Sequence, residues 1–274
     1  MIIRHTILTI TGFCTVLVMS ACASYQDNVD HVTASRIARP AFMVERVIPE
    51  GPYPLYAWER MRDRKEKAVL YIEGADETNP VGLHLASRDR TRNVAYLAQP
   101  CQYSTGSGDN CEQGFYQPGS VEVLATYNAV MDEMRARYGL TGFDLVGHGS
   151  GGNIAALLAA DRDDVLSLRT VAAPLAPAEG LSATAIAPEL ADMPQHHFIG
   201  AADDLVTPES YHFFRQAMGP SDCTHYTLVQ DANHERGWVE EWPTFLTYPT
   251  ECAINMEGYD PEPFPGLPYD KGKI

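Results

Sequence analysis

Ser150, Asp203 and His234 are of the residue types, and stand in the chain order, that acyl-transfer chemistry uses. That chemistry needs a nucleophile, a base to take its proton, an acid to orient the base, and backbone N–H groups for the developing oxyanion. Ser150 lies in Gly147-His-Gly-Ser-Gly-Gly152, Asp203 in Gly200-Ala-Ala-Asp-Asp-Leu-Val-Thr-Pro208, and His234 in Gln230-Asp-Ala-Asn-His-Glu-Arg-Gly-Trp238. Alone, a loop histidine is a surface residue and a loop aspartate a helix N-cap, and Asp204 competes with Asp203 as the acid. Together, spaced roughly 50 and about 30 residues apart, they suit loops at successive strand ends.

Such residues need elements that deliver them. Phe143, Leu145 and Val146 read as a short buried strand, Gly147 to Gly152 as a tight turn, and Asn153 to Ala160 as the start of an apolar helix. In a strand–turn–helix elbow the apex residue stands clear of the sheet edge, and the residues two before and two after it must be small. With Gly147 and Gly151 as the small flanks, the apex is Gly149, which carries no nucleophile. With Ser150 as the apex, one flank is the bulky His148. Gly149 and Gly151 are thus candidate elbow and oxyanion positions beside Ser150, the candidate nucleophile.

Phe42 to Ile48 and Leu55 to Met61 are expected strands around the turn at Pro49 to Pro52, with Ala68 to Ile72 as a third. Their short connections predict an antiparallel opening to the sheet. A short helix over Pro80 to Ser87 and a strand over Asn93 to Gln99 follow. The spacing of Val121, Leu124, Asn128, Met131, Arg135 and Tyr138, with Gly139 as a stop, predicts a helix over Val121 to Tyr138. Beyond the elbow, strands are expected at Ser167 to Ala172, His197 to Gly200 and His225 to Val229, with helices at Pro208 to Met218 and Trp238 to Phe245. Ala173 to Met193 lacks periodicity and is expected to lie over a site as a lid. The alternation predicts an α/β domain with a mainly parallel sheet, helices on both faces, and a site at the carboxyl ends of the strands.

Tyr71-Ile-Glu-Gly74, Pro100-Cys-Gln-Tyr103, the glycine-rich elbow, the block from Asn153 to Ala172, Gly200 to Pro208, His234 to Trp238, and Trp242-Pro243 together resemble the α/β-hydrolase superfamily over roughly residues 42 to 246. The likeness is strongest to a group of small bacterial hydrolases. It implies the α/β-hydrolase fold, and a serine hydrolase acting on an ester or amide bond of a small molecule through Ser150, His234 and Asp203. The oxyanion groups would come from the elbow and from the loop at Gly74 and Ala75. The resemblance also implies a nucleophile at position 149 and Asp-Gly at positions 75 and 76, where this chain has Gly149 and Ala75-Asp76. Those departures open an alternative, a catalytically inactive pseudo-hydrolase that acts in binding or scaffolding.

A chain of 274 residues, 45% of them hydrophobic, suits one domain, expected over residues 41–250. The net charge of -16 argues against nucleic acid, which needs clustered Lys and Arg. There is no CxxC and no His/Cys cluster, and the adjacent His196 and His197 would point to opposite faces of a strand, so neither metal nor cofactor is expected. Arg4, the apolar run Ile7 to Val18 and Met19-Ser-Ala-Cys22 resemble a bacterial lipoprotein signal, with an ordinary signal peptide or membrane anchor as the alternative. The run is shorter than the roughly 20 residues of a spanning helix. Residues 1–21 would be removed and Cys22 lipidated, anchoring the protein to a membrane of the cell envelope. Ala23 fits the outer membrane, facing the periplasm. Residues 22–40 read as a polar tether and 251–274 as a Pro-rich tail. Export favours disulfides over free thiols at Cys101, Cys111, Cys223 and Cys252, with Cys101–Cys111 and Cys223–Cys252 preferred among three pairings.

Overall fold

The computed structural model describes residues 31–74, 79–103, 119–177 and 179–252. Runs of consecutive buried residues build its centre: β3 (Ala68–Ile72), β4 (Asn93–Leu97), β5 (Phe143–His148) and β7 (Gln195–Gly200) are buried at every position. Strands covered on both faces are mostly apolar, and the polar side chains they do carry, such as Gln195, His196 and His197 of β7, are buried with hydrogen-bond partners. With β1 (Val44–Ile48), β2 (Leu55–Met61), β6 (Val165–Val171) and β8 (Thr224–Val229) they form an eight-stranded sheet ordered β1-β2-β4-β3-β5-β6-β7-β8.

β1 pairs antiparallel with β2, and β2 antiparallel with β4, while all pairs from β4 to β8 are parallel. The antiparallel opening therefore consists of β1 and β2. The third strand does not belong to it, because β4 lies between β2 and β3. The cause is the crossover helix α2 (Val81–Arg88), which returns the chain from β3 to a parallel neighbour.

Helices cover both faces. On one, Tyr127 and Met131 of α3 (Val121–Tyr138), Ile154 of α4 (Ser150–Asp161) and Phe214 of α5 (Pro208–Met218) pack with Leu70, Phe143 and Leu145. On the other, Leu83 of α2 and the aromatic group Trp238, Trp242 and Phe245 pack with Tyr71, Val146 and Phe198. The helix expected from Trp238 is shorter, since α6 spans only Trp242–Phe245, after the positive-φ turn at Gly237 (96°). Residues 183–190 form a 3-10 helix whose Ala183, Ala187 and Leu190 are buried in the same core cluster as α4 and α5. That half of the expected lid is core, secured by Asn153 Oδ1 accepting from the Ala183 N–H at 2.8 Å. Residues 31–38, expected to be part of a polar tether, instead belong to the first described helix, α1, and Ala34 and Ala38 are fully buried against the domain.

Cys223 and Cys252 are joined, tying β8 to the segment beyond α6. Cys101 is also disulfide-bonded, while its expected partner Cys111, like Cys22, lies outside the described residues. Among the described residues no helix is long and apolar enough to cross a membrane.

His196 and His197 do face opposite ways across β7. His197 shares its nitrogens with Thr170 Oγ1 (2.7 Å) and Gln195 Oε1 (2.9 Å), and His196 with the Pro249 carbonyl (2.9 Å) and Thr227 Oγ1 (2.8 Å). Burial pushes His196 down to about 4 and His197 down to about 3. An unfolded imidazole titrates near ~6.5, so between there and the folded values the unfolded chain binds protons that the folded chain refuses. Stability is accordingly whole above pH ~6.5 and is lost as the pH falls toward 4. Urea midpoints measured from pH 7.5 to 4.5 should drop continuously, and His197→Phe should flatten that dependence whatever it does at pH 7. An unchanged pH slope in the variant would refute the assignment.

Candidate active site

The site residues meet where the parallel strands end. β5 runs directly into α4 through Gly149, which has φ 53° and ψ −133°. An L-residue rarely occupies this region, and holding one there costs on the order of 1–3 kcal/mol. The register follows from contact distances. A Cβ on Gly147 would lie 2.3 Å from the Gly151 carbonyl oxygen, and one on Gly151 would lie 2.2 Å from the Ile72 carbonyl oxygen. Only glycine fits at either flank, so the residue between them, Gly149, is the apex. The Gly149 N–H is bonded to the Val171 carbonyl at 3.0 Å, which secures the turn against β6. Ser150 is the first residue of α4 and is half-buried.

The candidate acid and base come together. Asp203 follows β7, His234 follows β8, and His234 Nδ1 lies 3.1 Å from Asp203 Oδ2. The other carboxylate oxygen, Oδ1, accepts the Leu205 and Val206 N–H groups at 2.9 and 2.8 Å. Burial alone would push this carboxyl up, but the hydrogen bonds from His234, Val206 and Leu205 hold it below the usual carboxylate range. An ionised carboxylate can only accept, so Nδ1 of His234 carries the hydrogen. Asp204 is exposed, and Thr207 occupies the N-cap of α5, so Asp203 is the partner of the base.

The His234 loop is built by its neighbours. Asn233 Oδ1 accepts the N–H groups of Glu235 and Arg236 at 3.1 and 2.8 Å, and the buried Trp238 Nε1 donates to the carbonyls of Asn233 (2.8 Å) and His234 (3.3 Å). A further donor to the His234 carbonyl is His148 Nε2 at 2.9 Å. On its other side, His148 Nδ1 is 3.4 Å from Glu73 Oε1, and both side chains are fully buried. The elbow motif contained His148 only as an awkward flank, and Glu73 only as part of Tyr71-Ile-Glu-Gly74; a buried Glu next to a glycine turn was the one available signal. Glu73 Oε1 also accepts the Gly74 N–H at 3.2 Å. That engages the Gly74 N–H with a carboxylate, not with an oxyanion, while Ala75 and Asp76 lie outside the described residues. Among the described residues no group of His, Cys, Asp and Glu is arranged to hold a metal ion.

The elements define an α/β-hydrolase fold: a mostly parallel eight-stranded sheet, a sharp elbow after β5, and the Asp203–His234 pair on the loops after β7 and β8. Solved structures agree. The chain is similar to a bacterial membrane phospholipase A described as a virulence factor (16% identity, TM-score 0.59, covering 86% of this chain and 96% of that one). It is also similar to a putative α/β hydrolase from Agrobacterium tumefaciens (15% identity, TM-score 0.57, 74% and 93% covered). An α/β serine hydrolase homologue from Coxiella burnetii is a third (19% identity, TM-score 0.55, 74% and 95% covered). Neither a protein-family model nor a curated protein sequence matches the chain.

The elbow geometry has a measurable consequence. Gly149→Ala should fold and lose about 1–3 kcal/mol in urea denaturation, the cost of a Cβ at this φ and ψ. Gly151→Ala, which would drive a carbon into the β3 backbone, should fail to give folded protein. Equal stability of the two variants would show that Gly149 is not the apex.

Proposed function

We propose that the protein is a hydrolase of esters or amides, with His234 as general base, Asp203 holding its tautomer, and Ser150 as nucleophile. The observation that supports this reading is the His234–Asp203 pair, formed at 3.1 Å with the acid buried and the imidazole partly accessible. Keeping a carboxylate out of water and aimed at an imidazole serves proton transfer and does little for stability. In this reading Ser150 Oγ attacks the substrate carbonyl carbon while its proton passes to His234 Nε2. The intermediate collapses, the C–O or C–N bond breaks, and the same proton leaves with the alcohol or amine. Water then repeats the sequence to release the acid and restore Ser150. The phospholipase and serine hydrolase descriptions of the structural neighbours favour ester chemistry.

A second reading, the pseudo-hydrolase, draws on Gly149. The apex holds the one residue that relieves the strain of the position and offers no hydroxyl. One set of variants separates the two. Protein lacking residues 1–22 should turn over short acyl esters, and Ser150→Ala and His234→Ala should each bring the rate to the background that oxyanion and binding groups sustain, about 10³–10⁴ over water. Equal rates for wild type and Ser150→Ala would sink the first reading. The second expects no turnover by wild type and its appearance in Gly149→Ser.

The same proposal places the protein on a membrane of the bacterial envelope through lipid on Cys22, where acyl chains contribute about 0.8 kcal/mol per buried CH₂. In a Gram-negative host, labelled palmitate should enter the wild-type chain and not Cys22→Ala, which should also leave the membrane fraction. Palmitate in the variant would remove the anchor from the proposal.

A further inference from the structure

We propose that His148 is a positioning residue that, buried against Glu73, holds the His234 backbone so that its imidazole stays against Asp203. The kinetic consequences rest on the hydrolase reading, whereas the geometry does not.

The direction of the anchor follows from its partners. His148 Nε2 lies 2.9 Å from the His234 carbonyl oxygen, which has no hydrogen to give, so Nε2 is the donor. Nδ1 faces Glu73 Oε1 at 3.4 Å, and both side chains are fully buried. Glu73 is held in turn, because its Oε1 accepts the N–H groups of Gly74 and of Gly82 in α2, each at 3.2 Å. A Cβ on Gly82 would come within 3.1 Å of the carboxylate, so the helix start is closed down on it.

The chain of contacts therefore begins at the end of β3, passes through the last residue of β5, and finishes on the backbone of the residue that carries the base. A purely space-filling role would be better met by apolar side chains, which commonly replace buried ionisable pairs at no loss of stability. What the pair adds is direction. The His148 and His234 rings lie with centroids 5.4 Å apart, and the anchor acts on the carbonyl of the very residue whose side chain must meet Asp203. Trp238 Nε1 is the second donor to that carbonyl, at 3.3 Å, so the loop is held weakly without His148 and not released altogether.

The test compares His148→Phe, which removes the donor, with His148→Gln, whose amide nitrogen replaces Nε2, in the chain lacking residues 1–22. Two measurements are made: carbethoxylation of His234 followed by peptide mass spectrometry, and kcat and KM on short acyl esters. His148→Phe should speed His234 modification several-fold and lower kcat by about 10²-fold with KM nearly unchanged, as a misplaced base does. His148→Gln should recover most of both. If His148→Phe does not fold, His148→Asn, a polar side chain too short to reach the His234 carbonyl, should still raise His234 reactivity. Unchanged His234 reactivity in the folded variants overturns the proposal. A wild type inactive on esters would overturn the hydrolase reading alone, since the modification rates do not depend on turnover.

Discussion

The head of the sheet depends on how tightly the first turn of α4 is pressed onto the strands beneath it. Gly147 and Gly151 are in backbone contact, and Gly151 also meets the end of β3, at distances that leave no room for a single carbon atom. Two such contacts fix the axis of α4 against β5 and β3, and they place Gly149 at the apex with a backbone that ordinary residues resist. The same turn aims the amino end of a twelve-residue helix at the space above the strand ends. Because interiors are close-packed, the helix cannot relax away from this contact without opening the core around Ile154 and Leu145.

The acid–base pair is supported differently, by hydrogen bonds and not by close packing. Asp203 is a buried anion, which is tolerable only because each oxygen is occupied: Oδ1 by two backbone N–H groups and Oδ2 by His234. His234 sits on a loop whose shape comes from Asn233 and Trp238, and from His148 at the end of β5. The position of His234 thus depends on the strand that delivers the elbow. A shift of β5 would be felt both at Gly149 and at the imidazole. Proton transfer needs heavy-atom separations near 3 Å, so a coupling of this kind matters more for chemistry than for stability.

Much of this was legible in the chain. The bounds of the strands Leu55–Met61 and Ala68–Ile72 and of the helices Val121–Tyr138 and Pro208–Met218 are those expected, because their signals are local: runs of apolar residues, helical spacing, a proline at a helix start and a glycine after the last turn. Where the reading went astray, the deciding term was not local. Ala68–Ile72 looked like part of an antiparallel meander because the connections are short, but a crossover helix and burial on both faces made it parallel. Ala173 to Met193 looked like a lid because it lacks clear periodicity, yet Ala183, Ala187 and Leu190 of its 3-10 helix are buried in the core.

The sequence by itself determined the α/β plan, the order of nucleophile, acid and base candidates, and the glycine-rich turn with Gly149 and Ser150 as its two possible apices. These depend on residue type, spacing and steric size, which are properties of short segments. Tertiary structure alone decided that Asp203 and not Asp204 meets His234, that the Gly74 N–H is held by Glu73, and that a flank histidine reaches across to the base. The physical reason is that each is a contact between segments brought together by the sheet. A hydrogen bond depends on tenths of an ångström and tens of degrees, and those are set only when the strands are in register.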